Sequence, residues 1–214
     1  MNAKHHIPTN ILTAYSAGSL PEAFSLVVAC HLSLCDSCRA EAQSLDAVGG
    51  TLLEAQPTAE LDHDALAATL ALIEKGPVSE APRPMRRESI FPAPLQDYAG
   101  HDPEQVNWRR VGGGVRQAVL DCGGEATARL LYIPAGTAVP DHSHNGLELT
   151  MVLQGSFSDS VATFGRGDVE VGHDDLTHQP IADPGLDCIC LAATEGPLKF
   201  QSIIPRMLQP LIKI

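Results

Sequence analysis

Apolar positions in residues 1 to 76 recur at helical intervals. Leu12, Tyr15, Leu20, Phe24, Val27 and Leu34 follow one another every three to seven residues, a spacing that lines up one face of a helix. Pro21 stands where a second helix would open, because its fixed φ and missing N–H suit a first helical turn. Leu45, Val48 and Leu52 continue the stripe past a weakening Gly49-Gly50 pair. Leu61, Leu66, Leu70 and Ile73 form a fourth stripe that ends at Gly76-Pro77. The pattern predicts three or four short helices.

The period then changes. Pro77, Pro82, Pro84, Pro92 and Pro94 crowd residues 77–94. Proline continues neither a helix nor a sheet ladder, so this stretch reads as a semi-rigid linker across which few contacts should pass. From residue 95 onward short apolar runs alternate with glycine and aspartate. Ala128–Ile133, Leu147–Leu153, Val161–Phe164, Val169–Val171 and Leu186–Ala192 are the clearest. Many short strands at turn-like spacing predict a sandwich or barrel. The expected fold is α + β in two domains: a small helical bundle over 1–76, a linker over 77–94, and an antiparallel β-barrel over 95–214.

Length and charge narrow the function. The chain has 214 residues and a net charge of -12, a poor match to nucleic acid, which needs a basic face. Residues 1 to 76 carry 3 basic and 9 acidic side chains, which would suit a basic protein partner. No apolar run approaches the ~18 residues of a membrane span, and the N-terminus lacks the apolar core of a signal peptide. The expectation is a cytoplasmic protein. Six cysteines there point to metal or redox chemistry before disulfides.

Two constellations carry chemistry. His31-x3-Cys35-x2-Cys38 sets an imidazole and a thiol at i and i+4, with a second thiol three residues on. Asp36 is placed to cap a new helix and turn the chain so that both sulfurs face one point. This is most of a tetrahedral zinc site, and His6, with His5 as its rival, is the nearest source of a fourth ligand. A bundle this small also gains from a metal staple.

The second constellation is Gly136-x5-His142-x-His144-x3-Glu148-x6-Gly155, followed by Gly167-x5-His173-x-Asp175-x2-His178. His142 and His144 share a strand face. Three imidazoles and a carboxylate fit zinc, manganese, iron or nickel. Cys188-Ile189-Cys190 places two thiols on one face of an apolar strand, at the limit of disulfide reach. They read either as oxidant-sensing groups or as core-lining residues.

The first constellation resembles the bacterial zinc-binding anti-sigma domain. The resemblance implies zinc held by His6, His31, Cys35 and Cys38, in a helical unit that clamps an extracytoplasmic-function sigma factor. The second is similar to the cupin superfamily, implying a metal held by His142, His144, Glu148 and His178. All the fixed positions of the first cupin motif are present. The second departs from the pattern, with His173-x-Asp175 in place of Pro-x-Gly and Ala182 in place of Asn. In this order the two resemble the ChrR-type family of anti-sigma factors. That resemblance implies sequestration of the sigma factor and its release by singlet oxygen or organic peroxide, with Cys188 and Cys190 as candidate redox groups. The competing expectation is a metal-dependent cupin oxygenase or isomerase with a helical appendage. A weaker one is a metal or redox sensor without a sigma partner.

Overall fold

The structure is a computed structural model. It describes residues 3–76, 89–143, 146–173, 177–196 and 199–200. Four helices fill the N-terminal part: α1 (Thr9–Ser16), α2 (Glu22–Leu34), α3 (Asp36–Glu54) and α4 (Ala65–Glu74). A fifth, α5 (Ala93–Ala99), begins inside the end of the stretch read as linker. A single 3-10 turn (Pro103–Gln105) leads into the strands.

The strands are β1 (Arg109–Gly112), β2 (Val115–Leu120), β3 (Thr127–Ile133), β4 (His142–Ser143), β5 (Glu148–Gln154), β6 (Ser156–Ser158), β7 (Thr163–Gly165), β8 (Val169–Gly172), β9 (Thr177–His178), β10 (Ile181–Ala182), β11 (Cys188–Thr194) and β12 (Lys199–Phe200). They form three sheets, with the orders β1-β2-β3-β11-β5-β8, β10-β6-β7 and β12-β4-β9. Every pairing is antiparallel. The expected helical unit and antiparallel β domain are both present, and among the described residues the strands of the expected barrel lie in these three sheets, with no closed barrel.

The period-two alternation of the large sheet feeds two cores. Ala128, Leu130, Leu149, Met151, Leu153, Ile189 and Leu191 face the helices. Val115, Ile133, Val152, Cys188 and Cys190 face the other way, onto Phe157 and Phe164 of the small β10-β6-β7 sheet and Ala182.

α2 is the helix the large sheet rests on. Phe24, Leu26, Val27, Val28, Cys30 and His31 are all buried, and all but His31 share one cluster with the sheet residues and with Leu95 of α5. Each large apolar side chain buried there contributes about 1.5–3 kcal/mol. The sequence expectation of few contacts between the two halves is therefore not met. The apolar residues of α2 cover more than one face, and the sheet has an apolar face of its own to cover.

The fourth stripe behaves differently. α4 forms, yet none of its residues is buried, and Leu66, Leu70, Leu72 and Ile73 are all exposed. The second half of α3 does the same with Val48, Leu52 and Leu53. Among the described residues no single helix is long and apolar enough to cross a membrane.

Candidate metal centre

Cys35 is the residue on which the first site turns. It ends α2 and begins α3 in extended geometry, at φ -115 and ψ 106, and the chain bends by 117° there. Its sulfur accepts the backbone N–H of Cys38 at 3.5 Å, so the thiol itself caps α3. Sequence reasoning gave that cap to Asp36, which instead pairs with Arg39. The cap draws Cys35 and Cys38 to one side of the helix N-terminus, where the helix dipole favours negative charge.

His6 and His31 complete the group. Nδ1 of His6 lies 3.3 Å from Cys35 Sγ and 3.5 Å from Cys38 Sγ. The candidate ligand atoms of His6, His31, Cys35 and Cys38 all lie within 4.8 Å of one another. The rival His5 is excluded from the group: its ring packs on Phe164, 4.5 Å between centroids.

The donors fit a metal by a test independent of their spacing. His31 is fully buried, and its Nδ1–H donates to the carbonyl oxygen of Gly167 at 2.8 Å. That fixes the tautomer and leaves Nε2 a bare lone pair, buried and without a hydrogen-bond partner. A metal-ligating histidine characteristically has its second nitrogen tied to a carbonyl in this way. Burial lowers the pKa of His31, which keeps the ring neutral and able to ligate. The Cys38 thiol is pushed up to about 11, first by burial. Two sulfurs and two imidazoles can hold a divalent metal in tetrahedral geometry with no open position.

The residues expected at the second site are brought together only in part. Within the backbone, His142 of β4 stands directly opposite His178 of β9. His144 lies outside the described residues. Glu148 is buried at the start of β5, opposite Gly172 and Thr194. Its carboxylate accepts the Thr150 hydroxyl at 2.7 Å.

Arg129, which the sequence did not single out, is buried on the same face of the sheet. Desolvation lowers its pKa, and the charge of Glu148 partly offsets that by favouring the charged form. The sulfurs of Cys188 and Cys190 lie 3.5 Å apart in the inner core. The Cys190 thiol is held well above the usual range, first by its hydrogen bond with Cys188 and then by burial.

The residues that sequence reasoning missed at the first site are Gly167 and Asp168, in the turn between β7 and β8. Asp168 is 3% exposed and accepts the backbone N–H groups of Lys4, His5 and Gly165. A Gly-Arg-Gly-Asp turn announces a hairpin, but nothing in it points to a partner 136 residues away.

Residues 96–198 match the family described as ChrR Cupin-like domain. The chain is 55% identical to the anti-sigma-E factor ChrR of Cereibacter sphaeroides, with 100% of both chains covered. It also matches a chain in the crystal structure of Rhodobacter sphaeroides SigE in complex with the anti-sigma ChrR. That match has a TM-score of 0.80 and 55% identity, and covers 89% of this chain and 98% of that one.

Proposed function

The chain belongs to the ChrR family of anti-sigma factors, and on that premise we propose that it binds an extracytoplasmic-function sigma factor and withholds it from RNA polymerase. The observation that carries this reading is the end-to-end match to an anti-sigma-E factor. A second feature supports it. Leu66, Leu70 and Ile73 of α4, with Leu52 and Leu53 of α3, present apolar side chains that no part of the described chain covers. Exposed apolar patches mark interaction sites, and the related structure is a complex with a sigma factor.

In this reading residues 1–76 are the inhibitory unit, joined through 77–94 to a cupin unit over 95–214. The metal at His6, His31, Cys35 and Cys38 is zinc, matching two thiolates and two imidazoles in a closed site. It staples α2, α3 and the N-terminal segment, and does no chemistry.

His142, His144, Glu148 and His178 hold zinc or another divalent metal in the cupin unit. An open position on such a metal accepts a small ligand or oxidant. Singlet oxygen or organic peroxide, acting there or at Cys188 and Cys190, releases the sigma factor. For release, the signal must favour the free state over the bound one, since only differential affinity shifts an equilibrium. Inhibition of this kind takes place in the cytoplasm, where sigma factor and polymerase meet. It involves neither direct contact with nucleic acid nor a catalytic step.

The test is co-expression with the sigma factor, tag-based purification of the complex, and exposure to singlet oxygen or an organic hydroperoxide. A stable equimolar complex that dissociates on exposure is expected. Failure to co-purify would defeat the binding claim, and a complex indifferent to both oxidants would defeat the release claim.

A further inference from the structure

The segment that carries His6 has no regular structure. Residues 3 to 8 precede α1 as an irregular strap bent at Lys4 and His5, with Ala3 and Ile7 buried on either side of an exposed His6. A ligand on such a strap is positioned only if something else fixes the backbone. The fixing groups come from the β7–β8 turn. Asp168 Oδ1 accepts the N–H of Lys4, and that of His5 at 3.0 Å, while Oδ2 accepts Gly165 N–H at 2.9 Å. The N–H of Val169 then donates to His5 O at 3.2 Å. One residue earlier, the Gly167 carbonyl holds His31. Gly167 has φ +90, and a Cβ there would lie 3.8 Å from both Ala3 and Leu34. The turn is thus packed against the strap and the end of α2 together.

We propose that Asp168 is a positioning residue for the N-terminal metal site, so that the metal affinity of this site is set by the β-sheet as well as by its four ligands. The inference rests on the reading that His6, His31, Cys35 and Cys38 hold zinc. It also gives the two metal regions a physical route to each other. Asp168 leads directly into β8, and the far end of that short strand places Gly172 opposite Glu148. Displacement of β8 at Glu148 moves the turn that holds His31 and the backbone before His6.

The test uses the full-length chain without sigma factor. Zinc affinity is measured by chelator competition, and site geometry by the visible bands of the cobalt-substituted protein. Asp168→Ala removes all three acceptor bonds and should weaken zinc binding about tenfold or more, the range seen for groups that orient ligands. Asp168→Asn is isosteric. It can still accept from Lys4 and His5 but turns an amide N–H toward Gly165, so its affinity should fall between those of Asp168→Ala and the parent, with shifted cobalt bands. Tyr98→Phe breaks a different tie between the halves, the 2.6 Å bond to Glu22, and should leave zinc affinity unchanged.

Parent-like affinity and cobalt bands in Asp168→Asn would overturn the proposal, as would parent-like affinity in a folded Asp168→Ala. An equal loss in Tyr98→Phe would overturn it too, by showing general loosening. A parent chain that binds no zinc would instead defeat the underlying metal reading, a distinguishable result.

Discussion

The sulfur of Cys35 accepts the backbone N–H of Cys38 at 3.5 Å, so one metal-ligand candidate caps the helix that carries the next. The helix start and the metal site are one structure, and metal occupancy should couple to the order of α3. In the metal-free protein the Cys38 thiol, pushed up to about 11, is protonated at neutral pH. Zinc takes thiolates, so binding must expel that proton. Calorimetry at pH 7 in two buffers of different ionisation enthalpy should show buffer-dependent heats, and zinc affinity should rise with pH. Buffer-independent heats would mean that the thiol does not enter the metal site.

The exposed face of α4 yields a mutation that should separate folding from binding. Leu70 is 51% exposed on a helix with no buried residue. Leu70→Asp should change unfolding free energy by less than about 0.5 kcal/mol, as surface substitutions do. It should weaken sigma-factor binding by about tenfold or more, the cost of spoiling a central apolar contact. Denaturant titration and surface plasmon resonance measure the two effects.

How much of this was legible in the sequence depended on how local the cause was. The helices and the main strands follow from spacing within one element, and the His31-Cys35-Cys38 group from short spacing across the α2–α3 junction. β1 was missed because it alternates weakly, with Arg109, Arg110 and Gly112 among its four residues, and β2 because adjacent Gln117 and Ala118 are both buried and break its alternation. The stripe on α4 was legible as a helix, but its lack of a covering core was not. Periodicity reports an apolar face and not what covers it. Asp168 and Arg129 were illegible for another reason. An aspartate in a turn and an arginine in a strand are ordinary surface residues until the fold buries them.

Gly155 illustrates a residue whose identity is forced by backbone approach. It has φ +68, and a Cβ there would lie 2.8 Å from the Asp187 carbonyl oxygen. Gly155→Ala should destabilise the chain by about 2 kcal/mol or more, combining strained φ with a backbone clash. The midpoint of urea unfolding checks this.

The second metal region predicts a stoichiometry. Protein purified without chelator should carry one metal lost in Cys38→Ser and a second lost in Glu148→Ala. Elemental analysis of the three proteins decides the matter. A parent chain with a single equivalent, unaffected by Glu148→Ala, would remove the cupin metal from the account. If both equivalents are present, Glu148→Ala should still inhibit the sigma factor but no longer release it under oxidant. Constitutive release by a folded variant would instead place the cupin metal within the inhibitory clamp.

The central claim is sequestration, and transcription in a purified system tests it most directly. Core polymerase, the extracytoplasmic-function sigma factor and a template with its promoter are combined with increasing zinc-loaded chain. The account predicts that transcript falls to background near one chain per sigma factor, and that the same additions leave transcription from a primary-sigma promoter untouched. Undiminished transcript at a several-fold excess of folded, zinc-loaded chain would contradict it.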